Sequence, residues 1–164
     1  MNDSEWSAFC ESVLEVQRSD FMKEMKDRLR TLGSKSSMGI FDSAVLMALA
    51  RKFAPAICVE TGGNLGMSSS FILQGMHEAG IEAGKLLSVE VNPIIPVGSM
   101  IPERLKSGFT PMIGDVKQFM KKEVFPDQSL SDKHVCRNIL PIILIMQYLF
   151  AMRKAASECG PGFM

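Results

Sequence analysis

The fold is decided by the stretch Ile57-Cys58-Val59-Glu60-Thr61-Gly62-Gly63-Asn64-Leu65-Gly66. Its first residues are apolar, as in a strand buried within a parallel sheet, and the run ends in the carboxylate of Glu60. The three glycines that follow permit a sharp turn and let a ligand approach the backbone without Cβ atoms in the way. The stretch therefore predicts a strand, a tight turn and a helix start that together receive a nucleotide-like cofactor.

Two further apolar runs also end in carboxylates. Leu86-Leu87-Ser88-Val89 leads to Glu90, and Thr110 to Ile113 is followed closely by Asp115. Glu90 follows the last glycine of the turn by about 24 residues, close to the spacing at which an acid reaches a ribose diol. Three acids at the ends of three apolar runs, in the order that such a fold requires, predict a cofactor site.

The glycine pattern indicates which kind of cofactor the turn receives. A dinucleotide fold carries G-x-G-x-x-G, whose second glycine admits a pyrophosphate to the helix N-terminus. Here Asn64 stands at the third position, and Glu60 lies just before the turn, where its charge would repel a pyrophosphate. The acid suits a cationic ligand instead. Asn64 is compatible with the turn, because asparagine tolerates the left-handed conformation better than other non-glycine residues.

The order acid-x-Gly-x-x-x-Gly, followed by a strand-terminal Glu, resembles motif I and the ribose-binding acid of class I S-adenosylmethionine-dependent methyltransferases. Val59 to Gly62 with Gly66 to Leu73 is similar, more closely, to a bacterial group of small-molecule methyltransferases whose turn continues into a serine-rich helix start. Pro102-Glu103-Arg104-Leu105 and Ile113-Gly114-Asp115 also fit that group. The chain departs from the family at Asn64, where the family usually has its middle glycine.

The resemblance runs from about Phe41 to Lys122. It implies a Rossmann-like, three-layer αβα fold with strand order 3-2-1-4-5-7-6, S-adenosyl-L-methionine as cofactor and a small-molecule substrate. Glu60 and Gly62 would hold the methionine end of the cofactor. Glu90 would bind the ribose, and Asp115 would lie on the adenine side. The full set of implied cofactor-binding residues is Glu60, Thr61, Gly62, Gly63, Asn64, Gly66, Ser68, Glu90, Gly114 and Asp115. No catalytic residue is identified.

Helical periodicity and turn residues predict the remaining elements. The predicted elements are a helix from Asn2 to Leu32, capped by Asp3 or Ser4 and stopped by Gly33, helices over 41–53, 68–79 and 116–123, and strands over 85–90 and 110–113. The segment between the second and third strands is predicted to be an irregular loop. Its apolar residues could line the substrate side or simply pack as a loop: Ile94, Ile95, Val97, Met100 and Ile101.

Beyond Val124 the sequence departs from the family pattern. The fold should next supply a long apolar strand four, but only Val124-Phe125 precedes Pro126, which breaks central strands. Three polar residues that follow could be the remnant of an Asp and His pair found in the related group, or part of a surface loop: Asp127, Asp132 and His134. As a remnant they would mark a catalytic or metal site, but no metal-ligand cluster stands out and we predict no metal site. We expect His77 to be a surface residue.

The apolar stretch Ile139 to Met152 spans roughly fourteen residues, whereas crossing a bilayer takes about twenty. We predict a buried helix or a contact between copies of the chain, with a peripheral membrane anchor as the alternative. Losing strand four would expose the edge of strand one. This helix or a second subunit could cover that edge. Alternatively, the chain is C-terminally incomplete, without strands five to seven, and its end comes from a shifted frame or a faulty gene model.

Composition favours a small-molecule enzyme over a nucleic-acid-binding protein. Lys and Arg together number 18, as do Asp and Glu, and aromatic residues make up only 7% of the 164 residues. The four cysteines show no C-x-x-C spacing, which favours a reducing, cytoplasmic setting, and the N-terminus lacks an export signal. We divide the chain into a helical cap over 1–40, a cofactor-binding half over 41–125 and a divergent segment over 126–164.

Three functions from different classes follow from these patterns. The first is a small-molecule methyltransferase, in which the sulfonium of the cofactor activates its own methyl group and the protein positions a nucleophile. The second is a degenerate protein that binds the cofactor without catalysis. The third is an interaction or membrane-associated module built on the 139–152 helix.

Overall fold

A computed structural model describes residues 2–33, 38–91 and 96–115, together with the backbone of 139–141. Its helices are α1 (Asp3–Arg18), α2 (Asp20–Leu32), α3 (Ile40–Phe53) and α4 (Met67–Glu78), with a 3-10 helix over Glu103–Gly108. Its strands are β1 (Ile57–Thr61), β2 (Lys85–Glu90), β3 (Phe109–Ile113) and β4 (Ile139–Pro141). The predicted α/β class is confirmed. The helix predicted over 116–123 and the polar residues between 127 and 134 lie outside the described residues.

The strands form an open parallel sheet in the order β3-β2-β1-β4. Cys58 of β1 lies opposite Leu86 of β2, and Leu86 in turn lies opposite Phe109 of β3. The first three predicted strands are thus confirmed, as is their 3-2-1 order. Because the strands are parallel, the residues that follow β1, β2 and β3 emerge at the same edge of the sheet, here called the carboxyl edge.

The prediction of a helix beginning at Ile139 was wrong. Residues Ile139–Pro141 form β4, which pairs in parallel with β1 so that Ile57 lies opposite Ile139 and Val59 opposite Pro141. The edge of β1 that we expected to lack a strand is therefore paired. When such an apolar run is extended, it can pair with the backbone N–H and C=O groups of β1. Hydrophobic periodicity alone does not distinguish a buried strand from a buried helix. Residues 142–152 lie outside the described residues.

The single helix predicted over residues 2–32 is in fact two helices. Ser19 has an extended backbone (φ −67°, ψ 155°), and its hydroxyl accepts a hydrogen bond from Met22 N at 3.1 Å. A serine in this position supplies an acceptor for the free N–H groups of a new helix, so it ends α1 and caps α2. Gly33, with φ 60°, ends α2 as predicted.

The predicted caps of α1, Asp3 and Ser4, were also wrong. The side chain of Asn2 accepts from the Glu5 N–H at 2.9 Å, while the Glu5 carboxylate accepts from the Asn2 N–H at 2.9 Å. This reciprocal arrangement is a capping box, which satisfies two otherwise unpaired N–H groups at once. The cap is therefore Asn2, and the first helix begins at Asp3.

Helices α3 and α4 form the layer that supports the site. Each leads by a short connection into the strand that follows it, and Arg51 near the end of α3 pairs with Glu78 at the end of α4. The two helices therefore run in the same direction, and their N-termini both lie towards the carboxyl edge. Gly75 allows their close approach, since a Cβ there would lie 2.6 Å from the Met47 carbonyl oxygen and 2.7 Å from the Ala50 Cβ.

One apolar cluster contains residues of all four helices, of β1 and β2, and of the segment that precedes β3. Its largest fully buried side chains include Phe71, Met22, Met25, Met47, Met76 and Leu86. Burying these groups stabilises the fold by removing apolar area from water. Among the described residues, none of the helices has the length and hydropathy that crossing a membrane requires.

The close packing of Gly75 makes it sensitive to substitution. Replacing glycine by alanine within a helix normally stabilises it, but here the new methyl group meets a backbone carbonyl that cannot move alone. We expect Gly75→Ala to lower the free energy of unfolding by about 1 to 3 kcal/mol. Urea denaturation followed by circular dichroism measures this, with His77→Ala on the exposed side of α4 as the control that loses nothing. A more stable Gly75→Ala protein would contradict the packing.

Candidate functional site at the carboxyl edge

The ends of the first three strands are held together by backbone hydrogen bonds. Gly62 N, just after β1, donates to Val89 O of β2 at 2.8 Å. Gly114 N, just after β3, donates to Glu90 O at 3.0 Å. The turn after β1, Glu90 and the Gly114-Asp115 pair therefore lie side by side on one edge, as the sequence predicted.

The glycine turn, residues 62–66, has the backbone that its sequence predicts. Gly62 (φ 75°), Asn64 (φ 45°) and Gly66 (φ 89°) are all left-handed, and Gly66 N donates to Gly63 O at 2.8 Å to close the turn. The expected tolerance of Asn64 for this conformation is confirmed. A Cβ at Gly62 would meet no atom within 4 Å, so the backbone there has open space beside it.

Glu60 is the most enclosed of the three predicted acids, with only 5% of its surface exposed. Its carboxylate accepts from the hydroxyls of Ser68, Ser69 at 2.5 Å and Ser88 at 3.0 Å. The first two serines begin α4 and the third lies in β2, so this one side chain joins three elements. Its negative charge also lies beside the N-terminus of α4, where the helix dipole favours an anion.

Sequence reasoning assigned Glu60 to a cationic ligand and did not anticipate its serine partners. The signal was the serine-rich start of α4, which was noted only as a family feature. A carboxylate at the end of a buried strand, eight and nine residues before two serines, could have suggested hydrogen bonds to their hydroxyls. Ligand contact by Glu60 stays a prediction.

Gly63 is constrained by the same carboxylate. A Cβ there would lie 2.1 Å from Ser88 Oγ and 2.8 Å from Glu60 Oε2. A side chain at position 63 would collide with the hydrogen-bonded Glu60 and Ser88 side chains, so the residue there is glycine. The glycine at position 62 borders open space instead. The two adjacent glycines therefore meet different demands, the first conformational and the second steric.

Glu90 has the exposure that a ligand-binding acid needs. It is half-buried, and its Oε2 accepts from Asn64 N at 3.2 Å while its Oε1 accepts from Val91 N at 3.0 Å. These bonds fix the carboxylate against the glycine turn. Since an ionised carboxylate offers about four lone pairs, both oxygens retain capacity for further donors.

The other predicted residues lie around this centre. Thr61 and Asp115 are exposed, Gly114 (φ 145°) is half-buried, and Ser68 is half-buried beside the start of α4. Among the apolar loop residues, Met100 and Ile101 are fully buried in the core, which supports plain packing for those two. Val97 is half-buried, and Ile94 and Ile95 lie outside the described residues.

Cys58 lies two residues before Glu60, on the same face of β1, and is almost wholly buried. Burial, and then the negative charge of Glu60, raise the pKa of its thiol to about 12. The thiol is therefore protonated and unreactive at neutral pH, as expected for a cysteine acting as a small apolar group. Within the described ranges no group of three potential metal ligands occurs, and His77 is exposed as predicted.

Neither the models of known protein families nor the curated proteins match this chain. The methyltransferase resemblance therefore stays a prediction from the sequence. The geometry of the carboxyl edge supplies the independent observations: a left-handed turn, a half-buried acid fixed beside it and an enclosed acid beneath it.

The serine contacts of Glu60 predict a stability effect in the absence of any ligand. In Glu60→Gln, one oxygen acceptor and the charge beside the α4 N-terminus are lost, so the serine hydroxyls that donate to that oxygen lose their acceptor. We expect the free energy of unfolding to fall by about 1 to 3 kcal/mol in urea titrations of ligand-free protein. Glu103→Gln, which changes a largely exposed acid, is the matched control. Unchanged stability of Glu60→Gln would contradict the supporting role.

The raised pKa of Cys58 predicts selective resistance to alkylation. We expect iodoacetamide at pH 8 to leave Cys58 unmodified in the folded protein and to modify it after denaturation in urea. Peptide mass spectrometry locates the label, and the half-buried Cys10 on α1 serves as the internal comparison. Rapid modification of Cys58 in the native protein would show that β1 is more open than described.

Proposed function

We propose that this chain binds S-adenosyl-L-methionine at the carboxyl edge of a Rossmann-like sheet and transfers the methyl group to a small molecule. The observation that carries the proposal is the position of Glu90, at the end of β2, with its carboxylate fixed against the N–H of Asn64 in the left-handed glycine turn. A cofactor whose ribose lies over that turn would place its diol at this carboxylate.

The exposure of Glu90 favours a ribose diol as its ligand. Both hydroxyls of a diol are donors, and the ionised carboxylate accepts such bonds more strongly than a neutral group does. The bonds from Asn64 N and Val91 N orient the carboxylate before any ligand arrives, which lowers the entropic cost of binding. Glu60 is less accessible to a ligand, because its carboxylate is enclosed by three serines.

Apolar side chains flank the same edge and suit the adenine ring. Val91, directly after Glu90, is 60% exposed, and Ile113, directly before Gly114, is 54% exposed. These two side chains leave apolar surface available to a ring at this edge. The exposed carboxylate of Asp115, two residues after Ile113, could accept a hydrogen bond from the amino group of the adenine.

The methionine end of the cofactor would then extend over the glycine turn. Gly62 presents open space for close approach, and Thr61 beside it is exposed. In this proposal Glu60 acts from beneath, by holding Ser68 and the start of α4 in place. That role differs from the direct contact that the family resemblance implies for this acid.

Methyl transfer would need positioning more than acid or base chemistry. The sulfonium of the cofactor is itself the activated group, so the protein has to exclude water and align a nucleophile with the methyl carbon. Binding and transfer are separable, because the degenerate alternative predicts cofactor binding alone.

Calorimetry with S-adenosylmethionine and S-adenosylhomocysteine tests the proposal. We expect both to bind, and we expect Glu90→Ala to weaken binding by about 1.5 to 3 kcal/mol through loss of a charge-assisted hydrogen bond. The affinity of Glu90→Gln should lie between those of the wild type and Glu90→Ala, since this variant keeps an acceptor for Asn64 N and loses the charge.

The matched control is Glu82→Gln, an exposed acid in the connection between α4 and β2 at the opposite edge, which should bind as the wild type does. Circular dichroism confirms that each variant is folded. No heat from either ligand with folded wild-type protein would refute the proposed function.

A further inference from the structure

The glycine turn is braced from outside by a second turn, residues 96–102, here called the bracing turn. Gly98 N donates to Asn64 O at 3.0 Å, and Met100 N donates to Leu65 O at 2.8 Å. The two backbones touch, since a Cβ on Gly66 would lie 2.8 Å from the Gly98 Cα. Asn64 is thus held on both sides, its carbonyl by the bracing turn and its N–H by Glu90.

The segment that follows the bracing turn contacts α2. Arg104, two residues beyond it, donates from both terminal nitrogens to Glu24, at 3.1 Å to Oε1 and 2.7 Å to Oε2. Glu24 also accepts from Arg28 Nε at 3.1 Å. The hydrogen bond from Arg104, and further that from Arg28, hold the pKa of Glu24 below its usual value, so the pair is charged at neutral pH.

Aromatic packing reinforces this junction. The guanidinium of Arg104 lies 5.6 Å from the centre of the Phe21 ring, and Phe21 meets Phe71 of α4 edge-on at 5.1 Å. A guanidinium that is bidentate to a carboxylate and lies near a ring is more closely constrained in orientation than one with a single contact, although half of the Arg104 side chain is exposed. These contacts join α2, α4 and the segment that follows the bracing turn.

We propose that Arg104 and Glu24 form a positioning pair that holds the glycine turn in its ligand-accepting conformation through the bracing turn. Neither residue touches the proposed ligand. The inference rests on the proposed function for its effect on affinity, but the mechanical link itself exists without any ligand. The N-terminal helices thereby become a determinant of binding at an edge that they do not themselves form.

Hydrogen exchange and calorimetry on the full chain test this. In Arg104→Gln we expect the amides of Gly98 and Met100 to exchange about threefold to fivefold faster, and the Kd for S-adenosylhomocysteine to rise by a similar factor. Arg104→Lys, which keeps the charge but offers one point of contact, should recover part of both effects. Should Arg104→Gln not fold, Glu24→Gln breaks the same pair from the side of α2.

Lys106→Gln is the matched control, because it removes an ion pair with Glu103 that is confined to the same 3-10 helix. It should leave exchange and affinity unchanged. Wild-type exchange at Gly98 and Met100 in the folded variants, or an equal acceleration in Lys106→Gln, would overturn the positioning role. If the wild-type protein binds no S-adenosylhomocysteine, the proposed function fails while the exchange rates still decide this inference.

Discussion

The carboxylate of Glu60 is the constraint on which the arrangement of the carboxyl edge depends. A charge withdrawn from water is costly unless hydrogen bonds replace its hydration, and three serine hydroxyls from α4 and β2 supply them. To reach these serines, α4 must begin directly over the end of β1, and β2 must lie beside it. Position 63 must then be glycine, because a side chain would displace the Ser88 hydroxyl. One buried acid therefore fixes where the helix starts, which strand is adjacent and how the turn between them is built.

Features that depend on neighbouring residues could be predicted from the sequence. Strand β2 has the predicted bounds, and α3, α4 and β3 begin within one residue of them, because turn residues and apolar periodicity act over a few positions. The break at Ser19 was missed because apolar periodicity continues through it, although a serine followed by an acid is itself a capping signal. Strand β4 was missed because roughly fourteen apolar residues favour a helix by length, and its pairing with β1 is a contact between distant parts of the chain.

The candidate site could be predicted in outline but not in its division of roles. Parallel topology places the residues that end β1 and β2 on one edge, so the neighbourhood of Glu60 and Glu90 followed from sequence alone. Both acids end apolar runs, and the pair of serines eight and nine residues after Glu60 distinguishes the two acids in the sequence. The difference comes from position in the sheet: Glu60 lies opposite Ser88 and bonds the serines of α4, whereas Glu90 lies at the last position of β2 and is half-buried. Burial therefore encloses the first acid among its serines and leaves the second only half-buried.

The same reasoning explains why the edge needs support from outside the sheet. A turn with three left-handed residues in five is not the conformation that an isolated chain prefers, and Asn64 pays a steric cost that a glycine would not. Glu60 fixes the turn only from beneath. The backbone bonds from the bracing turn hold its outer side, and the junction of Arg104 with α2 holds the bracing turn. A ligand that binds this edge therefore meets a surface already shaped by the helices that precede β1, and this preorganisation links the N-terminal part of the chain to the chemistry proposed for its centre.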